Sequence, residues 1–247
     1  MNTRSAGFTI IETVLFLGVS GMLAVGILAG SSIVISQQRY RDAGTTLQAF
    51  MQNQYTNVSN VENDRSDKLI CNNNATIQEQ EVSGPIAGAS DCVVMGKLIQ
   101  IDNNGQTIVS SNVIGRQVGN VTVTNDVDAI KQYTLAWTSA GQEQKQIDWG
   151  ASLTYPAGQG ADPIDSLNLL ILRSPFSGVM RTFVTGDATL NNVQRTISPS
   201  AVNGFNPTLT LCLNSADLTV LQRLGLVVRA GATSPSAIEL FTEGSGC

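Results

Sequence analysis

The residue best placed to do chemistry is Glu12. It is the one charge in an otherwise apolar run spanning residues 8–35, FTIIETVLFLGVSGMLAVGILAGSSIVI. A carboxylate among apolar side chains needs either a cation or a route to water. Cleavage after Gly7 would create an amine on Phe8, four residues before Glu12. Within one helix the amine and carboxylate can meet at i, i+4. Between staggered helices, one chain's amine can neutralise the next chain's carboxylate and so set the register of a bundle. The competing reading is a side chain near a helix end that snorkels to the membrane interface.

Other chemistries are removed by composition. The 247 residues contain no histidine, which excludes Ser-His-Asp and Cys-His nucleophilic sites, His-ligated zinc and imidazole acid–base catalysis. Catalysis by carboxylates, lysine or tyrosine is what remains, and no nucleophile elbow, phosphate loop, dinucleotide fingerprint or EF-hand loop is present. We expect no enzyme activity, no cofactor and no metal centre. Oxygen-rich clusters at Asn125, Asp126 and Asp128 and at Asp162 and Asp165 fit calcium ligands or ordinary turns. Fourteen basic and 19 acidic residues give a net charge of −5, with no basic run to hold nucleic acid.

Four cysteines, Cys71, Cys92, Cys212 and Cys247, are even in number and form no CxxC pair. They suggest disulfides and an oxidising compartment, against the alternative of four free thiols in a cytosolic chain. Of the three pairings, Cys71–Cys92 and Cys212–Cys247 close the shortest loops.

These groups must be carried by recognisable elements. The apolar run exceeds the roughly 20 helical residues that cross a hydrocarbon core. Beyond Ser36 apolar residues recur at helical spacing: Tyr40, Leu47, Phe50, Met51, Tyr55, Val58 and Val61. The pattern predicts one helix from about residue 9 to 62, on the order of 80 Å long. Its first half is apolar all round, and its second half has one apolar stripe that needs a sheet beneath it. A cleaved secretory signal with a mature start near Ser31 is the alternative, opposed by Glu12 and by the continuing periodicity.

The motif Gly7-Phe8-Thr9-Ile10-Ile11-Glu12, followed by this long apolar stretch, resembles the class III signal of type IV pilins and pseudopilins. The pattern is a short polar leader ending in Gly, then Phe, then a glutamate at the fifth mature position. The resemblance implies cleavage after Gly7 by a prepilin peptidase and N-methylation of Phe8. It also implies pairing of Glu12 with a neighbour's Phe8 amine during assembly. The chain would be a single-pass protein of the cytoplasmic membrane as precursor and part of an extracellular pilus afterwards. Its partners would be copies of itself or other pilins, the pilus assembly machinery and, before assembly, membrane lipid. Adhesion or motility are the roles implied. A minor pilin, a type II secretion pseudopilin, and a membrane-anchored extracytoplasmic binding protein or enzyme stay open beside the major pilin.

The leader has a single basic residue, Arg4, three positions before Gly7. The stem lacks the helix-kinking proline common in the family and carries Gly18, Gly21, Gly26 and Gly30 instead. These glycines mark residues 22–30 as a stretch that could unwind in a filament, or as surfaces for close helix packing. Arg4 on one side of the apolar run and Arg39 and Arg41 on the other leave membrane orientation unfixed by charge.

The expected fold is α+β, a long N-terminal helix packed on an antiparallel sheet. Residues 1–7 form the leader, 8–36 the transmembrane and assembly half of the helix, and 37–66 its amphipathic half. Residues 67–247 form a β-rich head with a disulfide-closed C-terminal lobe. Strands are expected at residues 92–101 and 106–114, joined at Asp102-Asn103-Asn104-Gly105, then at 121–124, 132–137 and 143–155. Further strands follow at 167–172, 179–184, 209–213, 225–229 and 238–241. A short helix is expected at 217–224, and Trp137 and Trp149 are expected to anchor the core.

Overall fold

The computed structural model describes residues 9–60, 69–75, 77–79, 91–119, 122–156, 164, 167–185, 190–191, 196–198, 202, 208–215, 223–229, 231–242 and 247. One helix, α1 (Ile10–Ser59), runs without interruption for 50 residues. The fold is α+β, with this helix packed on antiparallel sheet.

The main sheet has seven strands: β3 (Cys92–Asp102), β4 (Thr107–Gln117), β5 (Tyr133–Gln146), β7 (Leu167–Arg173), β8 (Met180–Thr185), β9 (Leu190–Asn191) and β10 (Thr196–Ile197). Their spatial order is β8-β7-β3-β4-β5-β10-β9. A second sheet orders β13 (Ile238–Phe241), β12 (Leu224–Val228), β11 (Leu209–Ser215) and β6 (Ala151–Thr154). A small pair, β1 (Leu69–Cys71) with β2 (Ile77–Glu79), stands apart within the polar connection after the stem.

The second half of α1 packs against both larger sheets. Tyr40, Ala43, Leu47, Met51, Tyr55 and Val58 share one core with Ile99, Ile101, Leu169 and Ile171 of the seven-stranded sheet. The same core takes Leu211, Leu213, Leu224, Leu226 and Ile238 from the four-stranded sheet. The far face of the large sheet has its own core, built on Leu98, Val113, Leu135, Leu170, Leu172 and Phe183. It is covered in part by a short helix, α2 (Asp126–Lys131), through Ile130.

Polar pins fix the helix on the sheets. The Tyr40 hydroxyl donates to the Leu213 carbonyl at 2.5 Å and accepts from the Leu224 N–H at 2.9 Å, joining α1 to β11 and β12. The Tyr55 hydroxyl lies 2.8 Å from Thr182 Oγ1 on β8. Gln48 and Gln52 both donate to the Ile238 carbonyl. Fully buried Gln54 accepts from Ser110 on β4 at 2.8 Å and donates to Glu143 on β5 at 3.1 Å. These bonds satisfy groups that burial would otherwise penalise.

Several local expectations change. The strand expected at 143–155 is cut in two. Trp149 and Gly150 both take positive φ, 59° and 67°, inside a one-turn helix at Asp148–Gly150. That turn redirects the chain from the seven-stranded sheet to β6 of the other sheet. Conversely, the break expected near residues 138–142 is absent. Gly141 (φ 69°) and a bond from Asn112 Nδ2 to the Ala140 carbonyl carry β5 through it. Residues 122–124 are not strand; they lead into the Asn125 cap of α2. Most of the helix expected at 217–224 lies outside the described residues, and Leu224 begins β12.

Candidate functional site

Residues 10–36 form the candidate site, the half of α1 that leaves the head. Its apolar side chains face away from the rest of the chain: Ile10 is 83% exposed and Met22 81%. None of the apolar stretch of this half is buried against the head. The helix is long and apolar enough to cross a membrane. Added Cβ atoms at Gly18, Gly21, Gly26 and Gly30 would meet nothing within 4 Å, so no neighbour among the described residues explains those glycines. The helix stays continuous through all four.

Glu12 sits in the first turn and closes a capping box with Thr9. Thr9 N–H donates to Glu12 Oε2 at 2.9 Å, and Thr9 Oγ1 lies 3.0 Å from the same oxygen. Glu12 N–H donates back to Thr9 Oγ1 at 3.3 Å. Two N-terminal donors of the helix are satisfied reciprocally, and the carboxylate is held at the positive end of the helix dipole. The spacing Thr-x-x-Glu before an apolar run is visible in the sequence and could have revealed this box. Thr13 adds a hydroxyl bond to the Ile10 carbonyl at 2.8 Å. Gly7 and Phe8 lie outside the described residues.

Two disulfides tie the head: Cys71–Cys92 with Cα atoms 6.2 Å apart, and Cys212–Cys247 at 5.4 Å. The first joins β1 to the start of β3; the second joins the last residue to β11. The second disulfide lies at the end of the head where α1 departs, since Tyr40 bonds the carbonyl of the next residue, Leu213. Arg223 donates to the Cys247 carbonyl at 2.9 Å in the same region.

The head's polar clusters are used structurally. Asn125 caps α2 by accepting from the Asp128 N–H at 2.9 Å, and Asp128 accepts from Asn125 Nδ2 at 2.6 Å. Asp126 instead takes two bonds from the Arg181 guanidinium, the shorter 2.7 Å. Hydrogen bonding from Ser177 and then from Arg181 holds its carboxyl below the usual aspartate value. Among the described residues no three His, Cys, Asp or Glu side chains converge as metal ligands. Asp162 and Asp165 lie outside them. Lys97 is buried on β3, 4.0 Å from Glu143, and burial lowers its pKa against that carboxylate's pull.

Trp149 does not anchor the core. It is 52% exposed, under the Arg39 guanidinium at 4.6 Å from the ring centroid, and its Nε1–H donates to Asp42 at 3.3 Å. Trp137 is half-buried beside the far-face core. No family model, no curated protein and no solved structure matches this chain.

Proposed function

We propose that this chain is a structural subunit of a type IV pilus. It enters the cytoplasmic membrane through residues 8–36, is cut between Gly7 and Phe8, and polymerises through the same helical segment. One observation carries the reading: a single helix with one half docked in a β-rich head and the other half apolar and uncovered. Such a surface is stable only in lipid or against other helices. The two environments correspond to a precursor in the bilayer and a subunit in a bundle. Pairing of Glu12 with a neighbour's freed amine is the proposed assembly contact, and the bonds from Thr9 orient its carboxylate.

The head is the exterior of the polymer in this reading, and its disulfides suit an extracytoplasmic site. Polymerisation, and any adhesion or motility that follows, needs no catalytic group in the head. Mass spectrometry of the mature N-terminus tests the proposal. The expected result is a chain beginning at N-methylated Phe8. A chain beginning near Ser31, or one retaining residues 1–7 within filaments, overturns it.

A further inference from the structure

The geometry points to a membrane-facing collar at the base of the head, in which Trp149 and Arg39 seat the head on the lipid headgroup layer before assembly. This inference rests on the apolar half of α1 spanning the bilayer, and it adds a second, shallower contact that the helix alone does not require.

Trp149 combines three features. It is half exposed although it is one of two tryptophans in the chain. Its backbone lies in the left-handed region, φ 59°, which is strained for a bulky side chain. Its ring is nevertheless held, by Arg39 on its face and by Asp42 at its N–H. An indole with a wet polar edge and an exposed apolar body is the side chain that bilayer interfaces favour.

Its place in the fold matches that role. Tyr40 is the first buried residue of α1, so Arg39 and Asp42 lie on the turn where the stem emerges. From residue 10 to residue 39 the helix rises about 43 Å, close to the roughly 40–45 Å of a bilayer with its headgroups. With Glu12 near one surface, Trp149 falls at the headgroups of the other. Charge agrees locally. Arg39 and Arg41 enter no ion pair among the described residues, whereas Arg223, beside Tyr40, is engaged with the Cys247 carbonyl. Of the nearby acids, Asp148 is paired with Lys145 at 3.0 Å, while Asp42, bonded to the neutral indole, keeps its charge and offsets one of the two stem guanidiniums. A basic, aromatic base on a chain of net charge −5 suits lipid phosphates.

The test uses the full chain in vesicles of phosphatidylcholine and phosphatidylglycerol carrying a nitroxide either on the headgroup or deep in the acyl chain. Flotation reports insertion, and tryptophan emission of Trp137→Phe, which leaves Trp149 alone, reports the collar. The difference between wild type and Trp149→Phe gives the same signal independently. We expect flotation with Trp149 quenched about twofold or more by the headgroup label and less by the deep one, as for an interfacial indole. Arg39→Gln should weaken that quenching. Flotation without headgroup quenching, or with stronger quenching by the deep label, overturns the collar and leaves the spanning helix standing. Failure to float overturns both.

Discussion

The Glu12 carboxylate is bound twice by Thr9, through the backbone N–H at 2.9 Å and the hydroxyl at 3.0 Å, in a closed capping box. A residue expected to act between chains therefore already has a task within its own chain. The two tasks make different demands: capping needs an acceptor at the third helical position, whereas pairing with an amine needs a charge.

Glu12→Gln separates them, because glutamine also serves a capping box. If pairing governs assembly, Glu12→Gln and Glu12→Ala lose filament incorporation alike, while Thr9→Ala retains most of it. Quantifying subunits in sheared filaments checks this. Normal incorporation of Glu12→Gln would leave Glu12 with a capping role alone.

Tyr40→Phe removes one oxygen that serves both the Leu213 carbonyl and the Leu224 N–H in a buried setting. The stranded backbone groups should lower stability by about 1–3 kcal/mol. Denaturant unfolding of the detergent-solubilised chain checks it, with the loss expected while both disulfides stay closed.

Tyr55 is buried and bonded to Thr182, and burial pushes its phenol up to about 12. The folded value lies above the ordinary value of 10.0, so the associated stability is present in full below pH 10. It is lost as pH rises toward 12, because the unfolded chain ionises first. Ultraviolet titration should show Tyr55 ionising last of the four tyrosines or only on unfolding, behind Tyr40 and Tyr155, whose phenols burial also raises. Tyr55→Phe should remove that step.

Gly105 closes the turn between β3 and β4 with φ 74°, and its carbonyl accepts from Leu153 N–H at 2.9 Å. An added Cβ would fall on the Leu153 backbone. Gly231 also has positive φ, 65°, but open space around it. Gly105→Ala should therefore destabilise by clearly more than the roughly 1 kcal/mol of conformational strain expected for Gly231→Ala. Paired thermal melts check the difference.

The parts of this fold legible in the sequence are those where one physical signal dominates. Apolar periodicity marks α1 to within a few residues, and Asp102-Asn103-Asn104-Gly105 marks the β3–β4 turn, where Asn103, Asn104 and Gly105 all take positive φ. Competing signals hide other features. Gln54 is polar yet fully buried, because Ser110 and Glu143 wait for it across the sheet, and no periodicity rule reveals such partners. Gly44 is on the buried face because Leu224 and Leu240 fill the space above it; a Cβ there would lie 3.0 Å from Leu224 Cδ1. Trp149 reads as core from its type alone. Its exposure follows from a turn whose left-handed geometry is imposed by the change of sheet. At the candidate site, the apolar run and Glu12 are evident, while the Thr9 box requires attention to a three-residue spacing.

The uninterrupted character of α1 couples two azimuths. Tyr40, Gln48, Gln52, Gln54 and Tyr55 lock the head to one side of the rod, and the same rod presents Ile10 to Ile35 beyond it. Inserting one residue between Ser36 and Tyr40 would swing the whole head by about 100° about the rod while leaving both halves chemically intact. In any bundle built from these rods, the direction in which every head points is thus set by helical phase, with no hinge among the described residues to absorb an error.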